Sequence, residues 1–285
     1  MIIDRKTTAL VVDSTADLPK ELAADANVTM VPLTVFFGEE GFLDWVEIQP
    51  EEFYKKLAAS PQLPRTSQPS PGAFLEEYKR LRESYERVYS VHISSKLSGT
   101  WASADIASGQ IDGVEVVDSE LATCGVSLLV DRLLELMDKG VEEAEFKAYI
   151  ERFKKDKMLI FIPTTLDQLA KGGRIGKAQH LAGSLLNVKP VLKVEDGVVD
   201  AYKKVRGLAQ ALQSMRDGVL EATKPGKTVY VALAHGLNEE TLGEFQSLLT
   251  EVTDRQIEVR LTTIVGAVIG TYAGPGAVAV AAIQE

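Results

Sequence analysis

Three β-rich runs, TALVV (8–12), VYSVHI (88–93) and VEVVDS (114–119), are separated by helical stretches, and each leads into a polar string, Asp-Ser or Ile-Ser-Ser. Strands spaced by amphipathic helices pair in parallel, with helices on both faces of the sheet. The stretch GAFLEEYKRLRESYER (72–87) puts Phe74, Leu75, Tyr78, Leu81 and Tyr85 on one helical stripe. A second helix is expected over about 100 to 108, and VTMVPLTVFF (28–37) reads as another β-rich run. Ser14 with Asp17 three residues on has the form of a capping box for LPKELAADA. Ligands of such sheets sit beyond the carboxyl ends of the strands. Here all three of those ends are polar.

The second half follows another plan. MLIFIP (158–163) is a buried strand, and TTLDQLAKGGR is a short helix with Thr164 near its N-cap and Gly172 near its end. KAQHLAGSLLN predicts a further helix, and VKPVLKVEDGVVDAYKKV a hairpin around Asp196-Gly197. Helix, strand, helix and strand follow, so the sheet should be mixed. The expected architecture is α/β with two domains. Residues 1–157 form an N-terminal α/β/α unit on a parallel sheet, and residues 158–285 a C-terminal α/β unit on a mixed sheet. KKDK just before MLIFIP marks the division. At 285 residues and 45% hydrophobic, the chain can supply two medium cores.

A net charge of −10 argues against a nucleic-acid partner and against binding at an anionic membrane surface. Cys124 is the only cysteine, so no internal disulfide forms, and with three histidines it makes a poor zinc set. The N-terminus lacks the form of a signal peptide. Residues 261–283 approach the length of a membrane span, but the GPG at 274–276 would break a spanning helix. The expectation is a cytoplasmic protein with no integral membrane segment and no metal.

HISSKLSGT (92–100) carries Ser94, Ser95, Ser98 and Thr100 at the end of a strand. A nucleophile elbow fails, because Lys96 stands at the first glycine position of Gly-x-Ser-x-Gly. Alternation along the strand turns His92 away from the neighbouring Ile93. A phosphate loop fails too. GGRIGKA (172–178) encloses three residues where four are needed, and Ala178 replaces the magnesium-binding hydroxyl. GPGAVA (274–279) matches G-x-G-x-x-A loosely but opens a strand. Ser98 reads as an N-cap worth about 1 kcal/mol, yet one cap does not need four hydroxyls. PRTSQPSPG (64–72) adds Thr66, Ser67 and Ser70. Together the two patches offer neutral donors for a carboxylate or phosphate. Arg174, framed by glycines, offers a fixed charge nearby. Plainer readings hold elsewhere. Asp13 and Asp17 brace a loop, Cys124 is a small buried hydrophobe, and Lys177 either starts a helix or attracts an anion. His92, His180 and His235 are strand-end or surface residues.

VVDSTADLP, PRTSQPSPGAF, HISSKLSGTWASA, VVDS (116–119), TTLDQLAKGGRIGKA, LLNVKPVL and IGTYAGPGA resemble, in order and over about residues 11–280, the DegV family of bacterial fatty-acid-binding proteins. The resemblance implies an N-terminal α/β/α domain, a C-terminal mixed-sheet domain, and a long-chain, palmitate-like fatty acid between or within them. It implies no cofactor and no catalysis by this chain. A separate ATP-binding fatty-acid kinase subunit would phosphorylate the presented carboxylate, feeding lipid metabolism. Carried over by motif, Thr66 and Ser98 hold the carboxylate, with Ser95 next and Ser67 and Ser94 as neighbours. Arg174 lies by the head group or contacts the kinase. Many members read GTHTGPGA where this chain has GTYAGPGA. Tyr272 donates a hydrogen bond but carries no positive charge near neutral pH, which puts phosphate stabilisation and kinase coupling in question.

The physics of such a ligand is simple. Each buried methylene contributes about 0.8 kcal/mol, and the buried head group must be hydrogen-bonded or that gain is largely cancelled. VPLTVFF, HLAGSLLN and TIVGAVIG are candidate tunnel walls, though periodicity fits plain core equally well. Two rival readings remain: a stand-alone kinase or hydrolase working through the hydroxyl cluster, and a carrier of another apolar carboxylate.

Overall fold

The computed structural model describes residues 1–181 and 188–285. Thr8–Asp13, Val28–Val31, Arg87–His92 and Val114–Asp118 form a sheet in which every neighbouring pair is parallel. Its order is 28–31, 8–13, 87–92, 114–118. The pleat sorts the side chains. Ala9, Val11 and Val88 face the helices Pro71–Arg82 and Thr100–Ser108. Leu10, Val12, Tyr89 and Val91 join the core beneath Cys124–Lys139 and Glu143–Asp156. This is the expected α/β/α arrangement.

Several boundaries shift, each for a physical reason. The helix expected over 72–87 starts on Pro71 with Ser70 Oγ accepting from Ala73 N–H, and it ends at Arg82. Tyr85 lies beyond it, its hydroxyl on Ala26 O. The Ser14–Asp17 capping box does not form. Asp13 accepts the Thr15 N–H instead and caps a 3-10 turn over Ser14–Ala16, Asp17 takes left-handed backbone at φ 47°, and the α-helix is confined to Lys20–Ala23. VTMVPLTVFF divides at Pro32, which has no N–H for a ladder. Thr34–Phe37 therefore joins a separate antiparallel sheet between Glu40–Leu43 and Arg65–Ser67.

The second sheet has six strands in the order 198–205, 189–195, 158–162, 278–284, 228–235, 256–264. Only Thr228–His235 and Gln256–Ile264 pair in parallel, so the sheet is mixed. Asp196 (φ 50°) and Gly197 (φ 76°) make the predicted two-residue hairpin turn, of type I′. Leu208–Ala222 and Glu239–Thr250 cover one face. Cys124–Lys139 lies on the other, touching strands of both sheets. That explains why eleven of its residues are buried around nearly its whole circumference. GPGAVA opens the strand Val278–Gln284, as expected. Where a helix was expected over KAQHLAGSLLN, Gly176–Leu181 is a 3-10 helix, and the rest of that stretch lies outside the described residues. Among the described residues no helix is long and apolar enough to cross a membrane.

Candidate functional site

The carboxyl ends of the parallel strands point toward the second sheet, and a cavity lies where they meet. It holds about 1000 Å³ of empty space, its opening included. Leu159, Phe161, Val194, Val199, Val265 and Val268 make much of the wall. Thr66, Gln68, Ser98, Arg174 and Tyr272 are the polar lining residues left partly exposed, so they mark the opening. Thr15 and Thr123 are buried deeper.

Loops far apart in sequence assemble the opening. Arg65–Ser67 presents Thr66, whose Oγ1 lies 2.6 Å from Tyr272 OH on the helix Ala267–Ala273. The Arg174 guanidinium sits 5.2 Å from the centre of the Tyr272 ring. Its Nε donates to Leu97 O at 3.1 Å and its Nη1 to Gly172 O at 2.6 Å. The head of Arg174 is thus fixed by two carbonyls, while no carboxylate pairs with it among the described residues. The glycines that frame it have separate causes. A Cβ on Gly172 would run into the Tyr272 ring, and one on Gly176 into the Val199 backbone. Ser98 Oγ lies 2.8 Å from Thr100 Oγ1 and accepts from Thr100 N–H at 3.3 Å, while Gly99 takes the N-cap position. Gln68 Nε2 donates to Gly99 O and Ser103 Oγ, tying the TSQ loop to the hydroxyl-rich one.

Of the seven residues singled out in the sequence, Thr66, Ser98, Arg174 and Tyr272 line the cavity. Ser94, Ser95 and Ser67 do not. Ser94 is fully buried and donates to Gly197 O at 2.7 Å, joining its loop to the hairpin turn. Ser95 is exposed and contributes its N–H to Asp118. Ser67 is exposed, its hydroxyl on Gln68 O. In the TSQ string alternation turns Thr66 and Gln68 inward and Ser67 outward, whereas in the hydroxyl-rich loop a turn closed by Leu97 N–H and Ser98 N–H on Ser94 O brings Leu97 and Ser98 to the cavity and leaves Ser94 and Ser95 off it. Gln68, Thr15 and Thr123 line the cavity without having been singled out. For Gln68 the signal was present, because it completes the TSQ string. Leu33 from VPLTVFF and Val265, Val268 and Ile269 from TIVGAVIG are lining residues. HLAGSLLN falls mostly outside the described residues. Lys177 is exposed.

One arrangement escaped the sequence. Tyr78 OH donates to Ser90 Oγ at 2.7 Å, Ser90 Oγ lies 2.6 Å from His92 Nε2, and His92 Nδ1 lies 3.0 Å from Asp13 Oδ2. This is a Ser-His-Asp chain in connectivity. Asp13 Oδ2 also accepts from Ile93 N–H, and its Oδ1 from Thr15. Yet Ser90, His92 and Asp13 are all 0% exposed, and none lines the cavity. A nucleophile needs a substrate beside it; this serine is buried between Tyr78 OH and the His92 ring, which packs against Phe74. The chain is an internal brace. His235, likewise buried, accepts from Asn238 N–H, and burial holds its pKa below the usual value. Among the described residues no group of three or more His, Cys, Asp or Glu is placed to hold a metal.

A family model for uncharacterised proteins of the DegV family matches residues 7–285. A protein of Thermotoga maritima named as a fatty acid-binding protein is 35% identical over 276 residues, 94% of this chain and 95% of that one. Two solved structures are similar throughout. A DegV family protein from Thermus thermophilus, described for its fatty acid binding, has a TM-score of 0.93 at 36% identity, covering 98% of this chain and 100% of its own. DegV of Bacillus subtilis, described as a fatty acid binding protein, has a TM-score of 0.86 at 31% identity, covering 98% and 100%.

Proposed function

Because this chain belongs to the DegV family, we propose that its cavity holds a long-chain fatty acid and presents the carboxylate at the opening. Arg174 carries the reading. It is a half-buried guanidinium with no carboxylate partner among the described residues, fixed in place by Leu97 O and Gly172 O. Beside it stand the hydroxyls of Thr66, Ser98 and Tyr272, and behind it an apolar cavity. An anion with an oily tail satisfies all three features. The tail contributes about 0.8 kcal/mol per methylene, and the hydroxyls and Arg174 replace the water lost by the head group.

The protein then acts as a carrier. A separate ATP-binding kinase subunit phosphorylates the exposed carboxylate, with the acyl phosphate passing on to lipid metabolism. Arg174 and Tyr272 lie on the surface such a subunit would meet. The division at 157/158 falls in this reading between Glu143–Asp156 and Met158–Ile162, with the ligand on the seam.

The test is direct. Denaturing extraction of protein purified from a bacterial cytoplasm, followed by mass spectrometry, should give long acyl chains at near one per protein. A clean apo spectrum with no uptake of added palmitate would sink the reading. Competition across chain lengths and against aromatic acids separates a fatty-acid carrier from a carrier of other apolar carboxylates. Incubation with ATP and palmitate alone should yield no acyl phosphate; its appearance would make the chain an enzyme.

A further inference from the structure

The helix Ala267–Ala273 is one wall of the cavity, supplying Val268, Ile269, Tyr272 and Ala273. Its leading end is held by two carboxyl groups from distant loops. Gly266 N–H donates to Asp17 Oδ1 at 2.8 Å, and Ala267 N–H donates to Asp44 Oδ1 at 2.8 Å. Trp45 Nε1 adds a third donor to Asp17 Oδ1 at 3.2 Å. Asp17 and Asp44 are 0% and 1% exposed. The Oδ2 of each is buried without a hydrogen-bond partner among the described residues, as is the hydroxyl of Tyr54. The titratable groups that face the pair are Asp13, Tyr54 and Cys124, none of them a cation. Ser14 and Thr123 are the neighbouring hydroxyls.

Two buried carboxylates without a cation repel each other and lose hydration, so one or both must keep a proton. A protonated carboxyl still accepts an N–H through its carbonyl oxygen. The helix end can therefore stay docked while the proton occupies an Oδ2.

We infer that Asp17 and Asp44 form a proton-operated latch on this wall: the pair keeps its proton while the helix end is docked and releases it to solvent when the end lifts, so the wall opens more readily as pH rises. This describes a regulation of the fatty-acid site and rests on that reading of the cavity. Burial raises Asp44 to about 7, and burial together with the Asp44 charge raises Asp17 well above the usual range. An exposed Asp has a pKa of about 3.9. The docked state's advantage is thus complete below that value and is lost as pH rises toward the docked value. Each proton released on opening makes opening about tenfold easier per pH unit.

Amide hydrogen exchange on the unliganded protein tests the latch whether or not a fatty acid binds. Between about pH 5 and about pH 7, protection factors at Gly266, Ala267 and Gly270 should fall by at least about tenfold per unit in the wild type. The fall should be about one proton shallower in Asp44→Asn, which keeps an acceptor for Ala267. Amides of Leu208–Ala222, across the second sheet, should show no such slope. A wild-type slope of zero, an equal slope in Leu208–Ala222, or an unchanged slope in Asp44→Asn overturns the latch. Should Asp44→Asn fail to fold, the wild-type comparison of the two helices still decides. Release of a naturally fluorescent polyene fatty acid should quicken over the same range. Failure of that acid to bind at any pH would count against the fatty-acid reading and leave the exchange result standing.

Discussion

At the opening of the cavity, single side chains have separable duties. If Thr66 and Ser98 hold the carboxylate as proposed, Thr66→Ala or Ser98→Ala removes one donor from a head group partly shielded from water, at about 1 kcal/mol each. The double variant should lose bound fatty acid more than either alone, measured as acyl chains retained through purification. Equal retention in wild type and double variant would show that the head group is held elsewhere. Gly172→Ala makes a different point. Its new methyl meets the Tyr272 ring, so ligand retention should fall although no donor has been removed. Unchanged binding would mean that the ring moves freely. Much of this was legible in the sequence. TSQ, SSKLSGT and GGRIG named the loops, and Thr66, Ser98 and Arg174 do line one cavity. What stayed hidden was direction. Ser94, Ser95 and Ser98 look alike in a string, and only the turn closed by Leu97 N–H and Ser98 N–H on Ser94 O decides which hydroxyl faces inward.

Elements show the same division between what pattern encodes and what packing decides. Pattern marked the strand near 88–93, observed at Arg87–His92, as an apolar run buried on both faces, and the helix Thr100–Ser108, which buries one face against a layer. It did not give the brace Tyr78–Ser90–His92–Asp13, whose members come from a helix and two paired strands. Ser90 and His92 share a face of one strand, and parallel pairing sets Asp13 beside them, a register that no local motif carries. Ser90→Ala leaves Tyr78 OH and His92 Nε2 short of a partner in the interior. The expected cost is about 1–3 kcal/mol for each unsatisfied group, read from the midpoint of urea unfolding, with fatty-acid stoichiometry unchanged at low temperature. Loss of binding in a fully folded Ser90→Ala protein would contradict its role as a brace.

For the whole molecule, the helix Cys124–Lys139 matters most. It packs on both sheets, with Leu128, Leu129 and Leu133 at 0% exposure. Leu129→Ala should cost about 2–5 kcal/mol, and both sheets should lose protection in one transition when followed by hydrogen exchange in urea. Two separate transitions would show that the halves fold independently. A saturating ligand stabilises the folded chain as well. At a hundredfold excess over Kd the gain is about 2.7 kcal/mol, which should appear as a higher melting temperature with palmitate than without.

Ser94 and Lys96 grip the hairpin turn through main-chain oxygens, those of Gly197 and Asp196 at 2.7 Å each. Such a grip reads geometry and ignores spelling. Asparagine in place of Asp196 would hold as well, provided the left-handed bend and the glycine after it survive. One inserted residue at the tip would carry both oxygens past their donors, leaving the buried Ser94 hydroxyl without its acceptor and loosening this tie between the two halves while the helix between the sheets stays packed.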